Sequence, residues 1–82
     1  MTEPRDCWVY ALKDGQQIVY YGISCDPERR VPQHKNKKFT HGSVVSVGLT
    51  RTSALRREKE EIQRYQHQHG GRPPKYNRSK TY

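Results

Sequence analysis

Apolar residues fall into short blocks along the chain, separated by polar stretches marked by Gly and Pro. Residues 7–13 (CWVYALK) and 18–24 (IVYYGIS) are rich in aromatic and β-branched types and flank Asp14-Gly15, a strong turn signal. Together they predict a β-hairpin. Asp26-Pro27-Glu28 supplies an N-cap, a proline suited to the first helical position and an acid in the first turn, which predicts a helix start. Pro32 removes a backbone donor soon afterwards, leaving a helix that is either short or kinked near Val31. Residues 35–42 (KNKKFTHG) read as a polar connection, and 43–50 (SVVSVGLT) have the valine content of a third strand. Thr52 or Ser53 can cap a second helix through ALRREKEEIQRYQHQH, and Gly70-Gly71 can end it. The expected class is α/β of the α+β type, a small three-stranded, mainly antiparallel sheet in β-β-α-β-α order, with one more turn in the Pro-led closing segment.

Helical periodicity of about 100° per residue puts Leu55, Glu58, Ile62 and Tyr65 on one stripe with Ala54 beside it. Glu58 thus stands within an apolar face. It reads either as a carboxylate at the edge of a thin face, paired with a nearby Arg, or as a metal-binding or catalytic group. Tyr10 and Tyr20 occupy the two arms of the hairpin, where half-buried packing is the default role of tyrosine.

Charge points to a class of partner. The 82 residues include 16 Lys or Arg against 8 Asp or Glu, a net charge of +8, and only 30% are apolar. The core must be thin, a deep small-molecule pocket is not expected, and residues 1–82 form one domain with an ordered core at about 7–77 and loose ends at 1–5 and 78–82. The chain shows neither a membrane-length apolar run nor a secretory leader, and its two cysteines are too few to staple a secreted miniprotein, so free thiols and a cytoplasmic location are expected. The excess of positive charge makes nucleic acid the leading partner, ahead of acidic protein or membrane surface. RREKEE on the second helix reads as a solvated face, so the basic residues outside it carry more weight: Arg29, Arg30, Lys35, Lys37, Lys38, Arg72, Lys75, Arg78 and Lys80. The four His, His34, His41, His67 and His69, form no HxxxH pair, and Cys7 and Cys25 no CxxC, which leaves a structural zinc site poorly supported.

The segment WVYALKDGQQIVYYGISCDPERR resembles the signature of the GIY-YIG nuclease family, whose two tripeptides read here as WVY and YYG. Arg30 follows at the family's spacing, and His34 stands one helical turn later. SALRREKEEI resembles the second-helix motif, assigning Glu58, and PKYN resembles the closing motif, assigning Asn77. Five spaced elements in order are far more specific than either tripeptide alone. Two positions depart from the pattern: Trp8 replaces the Gly of the first tripeptide and Tyr21 the middle Ile of the second. Glu61 is a rival to Glu58 because the helix register of the family varies.

The resemblance implies a divalent-metal-dependent endonuclease, with Tyr10, Tyr20, Arg30, His34 and Glu58 as catalytic residues. Glu58 would hold one Mg²⁺ or Mn²⁺, hard ions suited to oxygen ligands, and Arg30 would grip the scissile phosphate. Tyr10 is the general base by analogy. A phenol titrating near 10 is a poor base at neutral pH, so Arg30 and the surrounding positive field are expected to lower it. Tyr20 orients water or phosphate, His34 accepts the Tyr10 proton or hydrogen-bonds phosphate, and Asn77 braces the site. Arg29, Lys35, Lys37, Lys38, Arg72 and Lys75 are the expected nucleic-acid contacts, with DNA the expected substrate. No separate DNA-binding domain fits in this length, so specificity is low or comes from a protein partner or a homodimer. The rival from another class is a non-catalytic nucleic-acid-binding module on the same scaffold. It has no physical need for a carboxylate facing phosphate.

Overall fold

The computed structural model describes residues 4–34 and 37–77; Lys35 and the ends at 1–3 and 78–82 lie outside them. Two strands, β1 (Trp8–Asp14) and β2 (Gln17–Ser24), form the hairpin and turn through Gly15-Gln16. Helix α1 (Pro27–Arg30) runs into a single 3₁₀ turn (Val31–Gln33), β3 spans His41–Val44, and α2 spans Arg51–Gln68. The sheet is antiparallel throughout in the order β2-β1-β3, which gives an α+β architecture. Among the described residues no helix is long and apolar enough to cross a membrane.

The local chemistry accounts for most element boundaries. Asp26 caps α1 by accepting from the Arg29 amide at 3.3 Å, with Pro27 in the first turn. Between a short and a kinked helix, the short one forms: after Arg30 the chain tightens into 3₁₀ geometry around Pro32, which has no amide to continue an α-helical ladder. Gly70 and Gly71 end α2 at φ +66° and +89°, values that L side chains rarely adopt.

Three expectations need correction. The third strand is shorter and earlier than 43–50. The ladder leaves regular pairing at Ser46, whose hydroxyl accepts from the Val9 amide at 3.0 Å, and only Leu49 returns, in a single bridge to Cys7. A side chain that takes a backbone's place interrupts a strand in this way. Helix α2 begins earlier than Thr52 or Ser53 would set it, because Thr50 is the cap and accepts from the Ser53 amide at 3.1 Å. Its inward face is also rotated. Ala54, Glu61 and Tyr65 are buried, Glu58 and Ile62 half-buried, and Leu55 is 47% exposed. One position is worth roughly 100° of rotation, so the face centred on Ala54 and Tyr65 turns Leu55 toward solvent.

Each face of the sheet carries its own small core. Val9, Ala11 and Tyr21 pack with Cys7, Ala54 and Tyr65 on the α2 side. Tyr10, Leu12 and Val19 pack on the opposite side with Tyr20, Val31, Phe39 and Tyr76. The hairpin register shifts between Leu12 and Lys13, since Leu12 pairs with Tyr20 but Lys13 with Ile18. Val19 is therefore the extra residue of a bulge. It changes the phase of β2, so that Tyr20 shares the Tyr10 face while Ile18 and Tyr21 face α2.

Candidate active site

The bulge and one glycine bring the two hairpin tyrosines together. Tyr10 lies opposite Gly22, and Tyr20 lies opposite Leu12, two positions along the same face. A Cβ on Gly22 would fall 2.6 Å from the Tyr10 hydroxyl and 2.8 Å from the Tyr20 ring. Only a residue without a side chain lets both rings settle there, with centroids 6.2 Å apart. Gly22 is absent from the expected site residues, and its only signal in the sequence is a glycine inside a strand, which marks such a close approach.

The segment after α1 supplies the third ring. His34 is buried, and its Nε2 is 2.6 Å from the Tyr10 hydroxyl. Its ring centroid lies 5.7 Å from that of Tyr10 and 5.1 Å from that of Tyr20. Lys37 places its Nζ 5.0 Å from the Tyr20 ring centre, on the ring face, a cation–π contact not expected from sequence. Arg30 is exposed at the end of α1; it donates to Gln33 Oε1 at 3.1 Å, and its charge acts on the Tyr10 phenol. Glu58 acts on the same phenol through its charge.

These neighbours do not lower Tyr10 as expected. Burial pushes the phenol up to about 12, Tyr20 and Glu58 add to the rise, and Arg30 opposes it by its charge. The loss of hydration around a buried phenolate outweighs one partly solvated guanidinium. Tyr10 thus stays protonated at neutral pH, in contact with an imidazole.

The two candidate carboxylates lie in different surroundings. Glu61 is 6% exposed and held by Arg57 at 2.8 Å and Arg64 at 3.3 Å, and its charge acts on Tyr21, on the other face. Glu58 is half-buried and acts on Tyr10. No group of three or more His, Cys, Asp or Glu side chains that could hold a metal occurs among the described residues. A site offering a single carboxylate suits a hard ion that keeps most of its shell as water and substrate oxygen, and does not suit a tetrahedral zinc site.

Asn77 completes the far edge of the sheet. Its Oδ1 accepts from the Tyr21 amide at 2.8 Å and its Nδ2 donates to the Tyr21 carbonyl at 3.0 Å, while the Tyr76 amide donates to the Val19 carbonyl at 2.8 Å. One side-chain amide thereby stands in for a neighbouring strand at the residue after Tyr20.

The expected nucleic-acid contacts are spread over several parts of the molecule. Arg29 is exposed on α1, Lys37 adjoins Tyr20, and the Lys38 amide donates to the Tyr76 hydroxyl at 2.8 Å. Arg72 and Lys75 instead line a separate depression with Gln17, Tyr65 and His69. Lys35 lies outside the described residues. No family model matches the chain, and no curated protein or solved structure matches it either.

Proposed function

We propose that this chain is a divalent-metal-dependent endonuclease of the GIY-YIG type, hydrolysing phosphodiester bonds in nucleic acid, DNA foremost, with low intrinsic sequence choice. One observation carries the reading. His34 sits on the Tyr10 hydroxyl and Tyr20 beside its ring, while the charges of Arg30, from the same segment as His34, and of Glu58, from α2, act on that phenol. The motif positions that suggested the family are the same positions. A packing tyrosine needs neither a buried histidine on its hydroxyl nor an arginine and a carboxylate around it. Two free cysteines suit a reducing cytoplasm.

The arrangement favours a proton relay over a free phenolate. Attacking water gives a proton to the Tyr10 oxygen while Tyr10 gives its own to His34 Nε2. The resulting hydroxide adds to phosphorus, and the bond from phosphorus to the leaving oxygen breaks. Arg30, at the exposed rim, binds the phosphoryl oxygens as negative charge builds on them. Tyr20 orients water or phosphate through its hydroxyl. Glu58 is the residue that would hold Mg²⁺ or Mn²⁺, which when bound neutralises charge on the phosphate and the leaving oxygen.

Incubating the protein with supercoiled, linear, branched and single-stranded DNA, with and without Mg²⁺ or Mn²⁺, tests the proposal. Metal-dependent cleavage is expected, with Arg30→Ala slowing it by on the order of a hundredfold, the scale of losing a preorganised charge donor. A rate within a few-fold of wild type would move the phosphate role to Arg29. Binding without cleavage under every condition would favour the non-catalytic module.

A further inference from the structure

The depression beside the C-terminus of α2 holds about 700 Å³ and lies apart from the Tyr10–Tyr20–His34 cluster, touching the core only at Tyr65. His69 forms its aromatic wall. The ring stacks on Tyr65 at 3.8 Å between centroids with 10° between planes, and its Nδ1 is held 2.8 Å from the Tyr65 carbonyl. His69 is exposed, so the face turned away from Tyr65 meets solvent. Arg72 and Lys75, both exposed, stand on the same depression, and among the described residues no carboxylate lines it. A fixed, half-covered ring beside two cations fits a nucleobase with its phosphates.

A chain of contacts connects this depression to the tyrosine cluster along the outer edge of β2. Lys37 lies over the Tyr20 ring, Lys38 donates its amide to the Tyr76 hydroxyl, and Lys75 lies over the Tyr76 ring at 5.3 Å while also lining the depression. Lysines and tyrosines thus alternate from the cluster to His69. At about 3.3 Å per strand residue, the β2 stretch from Tyr20 to Gln17 covers about 10 Å. We infer that this edge is a track for single-stranded nucleic acid, with the phosphates following Lys37, Lys75 and Arg72 and a base stacking on His69.

The inference rests on the nucleic-acid reading above and adds a preference for substrates with an unpaired strand next to the cleavage point. Sequence-tolerant stacking joined to a cationic groove is the common means of holding single strands.

The test is fluorescence anisotropy without divalent ions, using one labelled oligonucleotide as a single strand and as a blunt duplex. His69→Ala should weaken single-strand binding by about tenfold, within the range of one lost base-stacking contact. Arg72→Gln with Lys75→Gln should reduce the salt dependence of that binding by about 0.7 in log–log slope per lost phosphate contact. Duplex affinity should fall less in both. Melting temperatures near wild type establish that the variants fold. Should His69→Ala unfold, an oligonucleotide carrying a photoreactive base decides: cross-links to residues 65–72 are expected, and cross-links elsewhere only would overturn the inference. Wild-type affinity in the folded variants would overturn it while leaving the nuclease reading intact. A wild-type protein that binds no nucleic acid would remove both.

Discussion

Tyr10 is the residue on which the account turns, and its hydroxyl can be tested apart from its ring. Tyr10→Phe keeps almost all the buried surface and removes the contact to His34 Nε2 at 2.6 Å. Metal-dependent cleavage should fall by on the order of a hundredfold, the scale of a lost general acid–base group, while Tyr21→Phe, on the opposite face, stays active. The same substitution has a signature in stability. The folded protein holds the Tyr10 proton up to about pH 12, whereas the unfolded chain releases it near its ordinary value of 10.0. The resulting stabilisation is complete below the lower value and is lost as pH rises through the upper one. Chemical denaturation between pH 9 and 12, on the order of that window, should show a steeper alkaline decline in wild type than in Tyr10→Phe. Gly22→Ala tests the space the rings need. Its Cβ would meet the Tyr10 hydroxyl at 2.6 Å, so the variant should lose cleavage and stability together.

At the scale of elements, Asn77 joins the closing segment to β2 through two buried hydrogen bonds to Tyr21. Asn77→Ala leaves a buried amide and carbonyl without those partners and should destabilise the fold by about 2–4 kcal/mol in denaturant titration. Turn and cap residues made the hairpin and α1 legible, since Asp14-Gly15 and Asp26-Pro27-Glu28 act within a few residues of themselves. The third strand falls earlier than expected because Val44, Val45 and Val47 carry strand propensity, while the Ser46 hydroxyl that interrupts the ladder reveals itself only once β1 lies alongside. The rotation of α2 has a similar cause. Leu55 is the more hydrophobic neighbour of Ala54, but Glu61 takes the buried position because Arg57 and Arg64 neutralise it there. No hydrophobicity pattern marks a carboxylate that enters a core with its own counterions.

Over the whole molecule, the positions of Tyr10, Tyr20, Arg30, His34 and Glu58 were readable as motif spacing, but the electrostatic outcome was not. Whether Arg30 or burial governs Tyr10 depends on packing from β2, the 3₁₀ turn and the closing segment at once. The scatter of basic residues is likewise a tertiary result, since Arg72 and Lys75 reach their depression only because the chain turns back along β2 after α2. With a net charge of +8 on 82 residues, phosphate binding alone is weak support for catalysis, because a basic module of this size would bind without cutting.

Substituting the two carboxylates one at a time separates those cases most directly. Supercoiled DNA relaxation in Mg²⁺ should be compared for wild type, Glu58→Gln and Glu61→Gln at equal folded protein. Glu58→Gln should slow cleavage by on the order of a hundredfold or more while DNA binding holds or tightens, because the one charge it removes is both the proposed metal ligand and repulsive to phosphate. Glu61→Gln should lower the melting temperature through its two arginine pairs yet leave the folded protein cutting at near the wild-type rate. Cleavage that survives in Glu58→Gln and disappears in folded Glu61→Gln, or a wild-type protein that never cuts, would contradict the account.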